Sequence, residues 1–128
     1  MSMDANALAA AAMKAREHAY APYSGYHVGA VALGGSGRLY SGCNVENSSY
    51  GLTVCAERVA ILKAISEGER EIAALAVATE NGAAPCGACR QVLFEFGPTA
   101  RVLLCAADGT QKECRLDDLL PSAFELKR

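Results

Sequence analysis

The chain has 128 residues, of which 52% are apolar and 20% are charged, and its net charge at pH 7 is −2. This length and composition predict a single globular domain spanning residues 1–128. The slightly acidic balance argues against binding to a nucleic-acid backbone, and no apolar run approaches the roughly 20 residues that cross a bilayer. No export signal accompanies the six cysteines, so we expect a cytoplasmic protein whose thiols are reduced.

The first third of the chain predicts one helix and a pair of strands. Residues 4–20 are rich in alanine and predict a helix that Asp4 or Asn6 can cap and that Pro22 ends. Residues 26–33 and 38–45 predict two strands. The glycine-rich connection between these strands indicates that they are antiparallel neighbours.

The middle of the chain alternates between helices and strands. The polar segment 46–54 has no apolar period and predicts a loop, which leads into a helix over 55–67. A nearly continuous apolar run over 72–79 predicts a strand that is covered on both faces. A helix over 86–96 and a strand over 101–106 follow. Because a helix connects these two strands, they should be parallel with a right-handed crossover.

The end of the chain predicts a hairpin and a short helix. Asp108-Gly109 is a turn too short for a parallel crossover, so the strand over 111–115 should return antiparallel to the strand before it. Residues 116–120 predict a short helix. The predicted fold is therefore α/β, with three α/β/α layers around a five-stranded mixed sheet whose last two strands are antiparallel.

Three cysteines have the spacing of an open zinc site. Pro85 should place Cys86 in the first turn of a helix, so that Cys86 and Cys89 point from one helical face towards the same place. Cys55 comes from a separate element, at the start of another helix. Three protein ligands leave the fourth position of a tetrahedral zinc open for water, which is the catalytic arrangement. We therefore predict one Zn²⁺ per chain.

Charged residues beside these cysteines suit the chemistry of such a metal. Glu57 follows Cys55 by two residues, which places a carboxylate near the metal but away from the ligand direction, as a general acid/base requires. Arg58 and Arg90 are also next to ligands. We expect their guanidinium groups to compensate the negative charge of three thiolates from outside the ligand set.

The segments Cys55-Ala56-Glu57 and Pro85-Cys86-Gly87-Ala88-Cys89 resemble the motifs of the small zinc-dependent cytidine deaminases. The resemblance extends over about residues 14–124. It implies a cytidine deaminase-like fold and hydrolytic deamination of cytidine and 2′-deoxycytidine, a reaction of pyrimidine salvage. In this reading Glu57 moves protons between the attacking water, N3 of the base and the departing amine.

The same resemblance implies where the substrate binds. Asn44 and Glu46 would bind the 3′-hydroxyl of the ribose, and the backbone N–H of Ala56 would bind the pyrimidine carbonyl. Tyr26 stands where the family typically has a phenylalanine near the pyrimidine, and its hydroxyl needs a partner. Tyr50, in the loop before the ligand helix, is a candidate for the pocket wall.

Phe124 resembles an aromatic residue that closes the site of a neighbouring subunit in homotetrameric members of the family. The resemblance therefore implies a homotetramer with sites at subunit interfaces. Taken alone, Phe124 also fits an anchor for the C-terminal helix.

Four alternatives stay open at this point. The first is a deaminase for another aminopyrimidine nucleoside, such as a nucleoside antibiotic, although such relatives usually lose the Asn-x-Glu-Asn pattern of residues 44–47. A structural zinc site would need a fourth ligand from Cys43, Cys105 or Cys114. A Cys-x-x-Cys redox centre would leave Cys55 and Glu57 unexplained. A nucleic-acid editor fits poorly with the acidic balance and the short final turn.

Overall fold

A computed structural model describes residues 4–127, and a five-stranded mixed sheet forms its centre. In chain order its strands are β1 (Gly29–Gly34), β2 (Leu39–Cys43), β3 (Ile72–Thr79), β4 (Arg101–Ala106) and β5 (Gln111–Arg115). They lie in the order β2-β1-β3-β4-β5. β3 and β4 are parallel and the other neighbouring pairs are antiparallel. The predicted α/β fold, with its antiparallel last two strands, is confirmed.

Helices cover the sheet and link its strands. Within residues 4–127 they are α1 (Ala5–Arg16), α2 (Ala56–Ser66), α3 (Gly87–Phe96), the short α4 (Leu116–Leu119) and a 3₁₀ turn, Tyr50–Leu52, inside the predicted loop. As predicted, the Asp4 side chain caps α1 by accepting from the N–H of Asn6. In the described part of the chain, no helix is long and apolar enough to cross a membrane.

Three predicted elements extend too far by two residues or more at one end: the helix over 4–20, the strand over 26–33 and the strand over 38–45, which is observed as Leu39–Cys43. The first two errors have the same cause. The helix predicted over 4–20 ends at Arg16, because the backbone of Tyr20 bonds instead to the N–H and C=O groups of residues 44 and 46. The strand predicted from residue 26 starts only at Gly29, because the Asn44 side chain takes the hydrogen bonds of the residues before it. In both places, a contact distant in sequence overrides the local pattern.

Alternate residues of the central strands face opposite sides of the sheet. On β3, Leu75 and Val77 pack in the cluster beneath α2 and α3, whereas Ala74, Ala76 and Ala78 belong to the cluster beneath α1. This row of small side chains on β3 is called the alanine row below. Both faces are thus covered, as the three-layer prediction requires, and the small side chains of β3 are on the side of α1.

Helix α2 packs very closely on β2, and a glycine makes this possible. A Cβ atom added at Gly42 would lie 2.6 Å from the backbone nitrogen of Ala60 and 2.7 Å from the carbonyl oxygen of Ala56. Backbone atoms cannot give way as a flexible side chain can. Gly42 therefore allows the start of α2 to lie directly over the end of β2.

We expect Gly42→Ala to destabilise the protein by about 1–3 kcal/mol, the usual cost of overpacking, and to lower activity because α2 must move. Urea denaturation followed by circular dichroism measures this change. Gly51→Ala is the control, since a Cβ there meets nothing within 4 Å. Equal stability of the two variants would contradict the close approach.

Candidate metal centre and pocket

Three thiols meet at the N-terminal ends of α2 and α3. The sulfur atoms of Cys55, Cys86 and Cys89 all lie within 4.8 Å of one another, and those of Cys86 and Cys89 are 3.5 Å apart. Cys89 is buried, Cys55 is half-buried and Cys86 is exposed. Cys55 and the two cysteines that follow it 31 and 34 positions later therefore form one group that can hold a single metal ion.

Both helices begin at a cysteine. Cys55 has extended backbone angles and is the N-cap of α2, and Cys86 is the N-cap of α3. The prediction that Cys86 lies in the first helical turn is therefore wrong by one residue. Pro85 restricts the backbone of Ala84 rather than that of Cys86; Cys86 has the extended angles of an N-cap, and the helix starts at Gly87. The positive ends of two helix dipoles consequently face the thiols, which favours thiolates.

Arg58 supplies a positive charge to this group. Its Nη2 donates to the sulfur of Cys55 at 3.6 Å. The pKa of Cys55 is lowered, chiefly by the hydrogen bond from the Cys89 thiol, and the Arg58 guanidinium adds to this effect. The pKa of Cys89 is raised by the same sulfur–sulfur hydrogen bond and by burial.

Arg90 donates hydrogen bonds to backbone carbonyls near the sulfurs. Its Nε donates to the carbonyl of Pro85 at 2.7 Å, and its Nη1 donates to the carbonyl of Leu119 at 2.8 Å. These hydrogen bonds join the residue before Cys86 to the end of α4. Arg58 therefore donates a hydrogen bond directly to a sulfur. Arg90 instead donates to backbone carbonyls and so fixes the segment that carries Cys86.

Glu57 is the acidic group beside the thiols. It lies in the first turn of α2, is 5% exposed, and lines the pocket described below. Burial raises the pKa of Glu57 to about 7, and the charge on Cys55 acts in the same direction. A carboxyl group with a pKa near neutrality can both accept and release a proton at physiological pH.

A cavity of about 270 Å³ opens beside this centre. Eight of the predicted site residues line it: Tyr26, Asn44, Glu46, Tyr50, Cys55, Ala56, Glu57 and Cys86. Phe124 is not among the lining residues of the same chain; its side chain is 67% exposed, and its carbonyl accepts from Gln91. The structure therefore brings together most of the predicted site and leaves Phe124 at the surface.

Asn44 and Glu46 lie just after β2, where they are buried and line one end of the cavity. The Asn44 amide accepts from the N–H of Val28 at 2.9 Å and donates to the carbonyl of Tyr26 at 2.8 Å. The Glu46 carboxylate accepts from the Ser24 hydroxyl at 2.5 Å and from the Ser24 N–H at 3.2 Å. The Ser24 hydroxyl is the main cause of a lowered Glu46 pKa, so this carboxylate is ionised at neutral pH.

The segment between β3 and Pro85 also lines the pocket, although none of its residues was predicted to belong to the site. Thr79 ends β3, and its Oγ1 accepts from the N–H groups of Gly82 and Ala83 at 2.7 and 3.0 Å. Asn81, next to this turn, accepts from the Tyr26 hydroxyl at 2.7 Å. The polar run before the glycine was a usable turn signal. The hydrogen bond between Asn81 and Tyr26 could not be predicted from the sequence, because the two residues are 55 positions apart.

Tyr50 and Ala56 occupy different parts of the wall. Tyr50 is 54% exposed and meets Tyr23 edge-on, with ring centroids 6.4 Å apart. Ala56 is fully buried and is the first residue of α2. Its N–H therefore has no carbonyl acceptor within the helix and is available to a ligand.

The donor set fits a zinc ion. Three sulfur donors at helix N-termini are typical of zinc, and carboxylate or carbonyl sites for magnesium or calcium differ from this set. The buried Nε of Arg58 has no hydrogen-bond partner within residues 4–127, so the positive group beside the sulfurs keeps unused donor capacity. A cation at this place would stabilise the thiolate forms of the cysteines, because a metal ligand must be deprotonated.

Comparison with known proteins gives one consistent result. Residues 2–106 match the family model described as the cytidine and deoxycytidylate deaminase zinc-binding region. The chain is 50% identical over 125 residues to the cytidine deaminase of Sporosarcina psychrophila, covering 95% of this chain and 92% of the relative. It resembles the crystal structure of cytidine deaminase from Burkholderia pseudomallei with a TM-score of 0.91 and 50% identity, over 95% and 100% of the two chains. For the Mycobacterium tuberculosis enzyme, the TM-score is 0.85 at 45% identity, over 98% and 100%.

Proposed function

Because the chain belongs to the cytidine and deoxycytidylate deaminase family, we propose that it deaminates cytidine and 2′-deoxycytidine to uridine and 2′-deoxyuridine, releasing ammonia. One observation carries the proposal. Glu57, a buried carboxyl group with a pKa near 7, lines the same cavity as Cys55 and Cys86, two of the three grouped thiols. Hydrolysis of an amidine carbon needs this combination of a metal centre and a proton carrier.

Each part of the centre has a role in this reaction. Cys55, Cys86 and Cys89 hold the zinc. When bound, zinc supplies a Lewis acid that makes water nucleophilic at neutral pH and stabilises negative charge on oxygen. Arg58 offsets the charge of the thiolates, and Arg90 fixes the backbone before Cys86, so that the ligands keep their geometry.

Glu57 moves the protons. It takes one from the attacking water and delivers it to N3 of the pyrimidine, which makes C4 more electrophilic. It then takes the second proton of the former water from the hydroxyl now on C4 and gives it to the departing amine, so that the C4 carbonyl forms and ammonia leaves rather than an amide ion. Its buried position supports this cycle, because a pKa near 7 lets the carboxyl group gain and lose a proton within one turnover.

The remaining contacts select a nucleoside. The N–H of Ala56 donates to the pyrimidine carbonyl, and Tyr26 and Tyr50 form the walls beside the base. Asn44 and Glu46 bind the 3′-hydroxyl of the sugar with the hydrogen-bonding capacity that their contacts to Val28, Tyr26 and Ser24 leave over. The loss of the sugar would leave these buried polar groups without a ligand, which disfavours free cytosine.

We further propose a homotetramer, in which Phe124 closes the site of a neighbouring subunit. The exposure of this aromatic side chain, and of the apolar side chains near the pocket mouth, supports the idea. Those side chains are Tyr20, Val45, Tyr50, Leu52 and Val54. The residues 1–128 would then act as one domain, in the cytoplasm, in pyrimidine salvage.

Phe124→Ala tests the shared site. We expect KM for cytidine to rise about tenfold or more, as when a central aromatic residue is removed from an interface, while zinc content stays the same. Leu39→Ala, which removes a 38% exposed side chain on β2, is the control. Sedimentation velocity gives the oligomeric state. A fully active monomer would remove the shared-site proposal and leave the reaction itself untouched.

One assay tests the function directly. Ammonia release is measured with cytidine, 2′-deoxycytidine, cytosine, cytidine monophosphate and an aminopyrimidine nucleoside with a modified sugar, next to zinc analysis of the same protein. We expect turnover of the first two compounds and one zinc per chain. Preference for the modified nucleoside would favour the related deaminase, and absence of turnover with all five would overturn the proposal.

A further inference from the structure

Tyr26 is bonded to both ends of the pocket. Its backbone N–H donates to the hydroxyl of Ser24 at 3.0 Å, and that hydroxyl donates to Glu46 at 2.5 Å. Its carbonyl accepts from the Asn44 amide at 2.8 Å. At the other end of the residue, the phenolic hydroxyl donates to Oδ1 of Asn81 at 2.7 Å. The main chain of Tyr26 is thus fixed at the sugar end, while its side chain reaches the opposite wall.

The opposite wall is the segment that leads to a metal ligand. Residues 79–84 are closed into a turn by Thr79, and Asn81 pairs with Ala106, the last residue of β4. The side of this segment formed by Ala83 and Ala84 lines the cavity, and the chain then passes directly into Pro85 and Cys86. A hydrogen bond to Asn81 therefore acts on the part of the backbone that carries the thiol.

We propose that Tyr26 is a positioning residue, whose hydroxyl bond to Asn81 holds the sugar end of the pocket at a fixed separation from the wall that leads to Cys86. The tyrosine ring lines the cavity and is 37% exposed, so the bond at its tip also fixes the ring beside the base. This inference rests on the proposed function, and it explains why a tyrosine can stand at this place: its hydroxyl has a built acceptor.

The effect should appear in substrate binding. The bond between Tyr26 and Asn81 joins groups outside the reacting atoms, so it contributes equally before and during the chemical step, and its loss raises KM without changing kcat. We expect Tyr26→Phe to raise KM for cytidine about fivefold, the size of one hydrogen bond, with kcat within about twofold of the parent and zinc unchanged.

Variants of Asn81 separate this role from a general loss of stability. Asn81→Leu removes the acceptor and should raise KM as Tyr26→Phe does, whereas Asn81→Asp keeps an acceptor oxygen and should keep the parent KM. Because Asn81 Oδ1 also accepts from the Thr79 hydroxyl at 3.4 Å, the double variant Tyr26→Phe/Asn81→Leu should be no worse than Asn81→Leu alone, since the bond to Tyr26 is already lost in that variant. Tyr40→Phe is the matched control: it removes a hydroxyl bonded to Glu69 at 2.8 Å, away from the pocket, and should lower Tm without moving KM.

Three results would overturn the inference: a parent-like KM for Tyr26→Phe, losses that multiply in the double variant, or a KM for Asn81→Asp as high as for Asn81→Leu. The same experiment distinguishes this failure from failure of the proposed function. If the parent protein does not release ammonia from cytidine, the function is wrong; if the parent does so and the variants behave as just listed, only the role of Tyr26 is wrong.

Discussion

Glu57→Gln is expected to lower kcat for cytidine by about 10²–10⁴-fold while the protein keeps its zinc and its fold. Glutamine has nearly the same shape as glutamate but cannot accept and release a proton, so the variant loses the proton transfer that general acid/base catalysis contributes. Steady-state ammonia release measures kcat. Elemental analysis of the same sample measures zinc, so that loss of metal is not mistaken for loss of proton transfer.

Glu69→Gln is the matched control for this variant. Glu69 is also a buried carboxyl group, 8% exposed, but it lies away from the pocket and accepts hydrogen bonds from Ser36 and Tyr40. The hydrogen bond from Ser36 is the main cause of its lowered pKa. Its contribution to stability is therefore present above the pKa of the unfolded chain and is lost as the pH falls. We expect Glu69→Gln to lose stability and keep turnover.

Near-normal activity of Glu57→Gln would remove Glu57 from the mechanism.

Removal of zinc is expected to lower the rate of ammonia release by about 10³-fold or more. The metal stabilises charge in the transition state and so lowers the barrier by several kcal/mol. Dialysis against a chelator should produce the inactive protein, and added zinc should restore activity. The variants Cys55→Ser, Cys86→Ser and Cys89→Ser should each hold less than one zinc per chain, measured by elemental analysis.

Cys114→Ser supplies the comparison for these variants. Cys114 is a half-buried thiol on β5 that belongs to no metal-binding group in residues 4–127. This variant should keep one zinc per chain and parent-like activity. Full zinc content in Cys89→Ser, or an unchanged rate in metal-free protein, would contradict the assignment of the centre.

The sequence predicted that Cys86 and Cys89 lie together because their three-residue spacing brings both to one side of a helix start. The addition of Cys55, 31 residues earlier, rested on the motif Cys55-Ala56-Glu57 and not on a local rule. The bounds of β3, β4 and β5 were predicted without error, because continuous burial and a two-residue turn leave few alternatives. Local sequence was sufficient wherever the decisive neighbours are close along the chain.

Prediction failed where the decisive partner is far away. Nothing near Tyr20 indicates that its backbone pairs with residues 44–46, and nothing near Glu46 indicates that Ser24 holds its carboxylate. The contact between Tyr26 and Asn81 has the same character. These bonds join segments that meet only after the sheet has formed, so they depend on topology and are invisible to periodicity.

The alanine row has a consequence for the pocket, although it lies on the other face of the sheet. It packs against α1, and the same helix lies so close to β1 that a Cβ at Gly29 would overlap the backbone nitrogen of Arg16. From this position Arg16 donates to the carbonyl of His27 at 2.8 Å and to Glu80 at 3.1 Å. These are the sequence neighbours of Tyr26 and Asn81. A thicker layer, such as valine in place of Ala76, would raise the helix and pull on both walls of the pocket mouth. Variation in a distant hydrophobic layer can thus tune substrate affinity without altering any residue that touches the nucleoside.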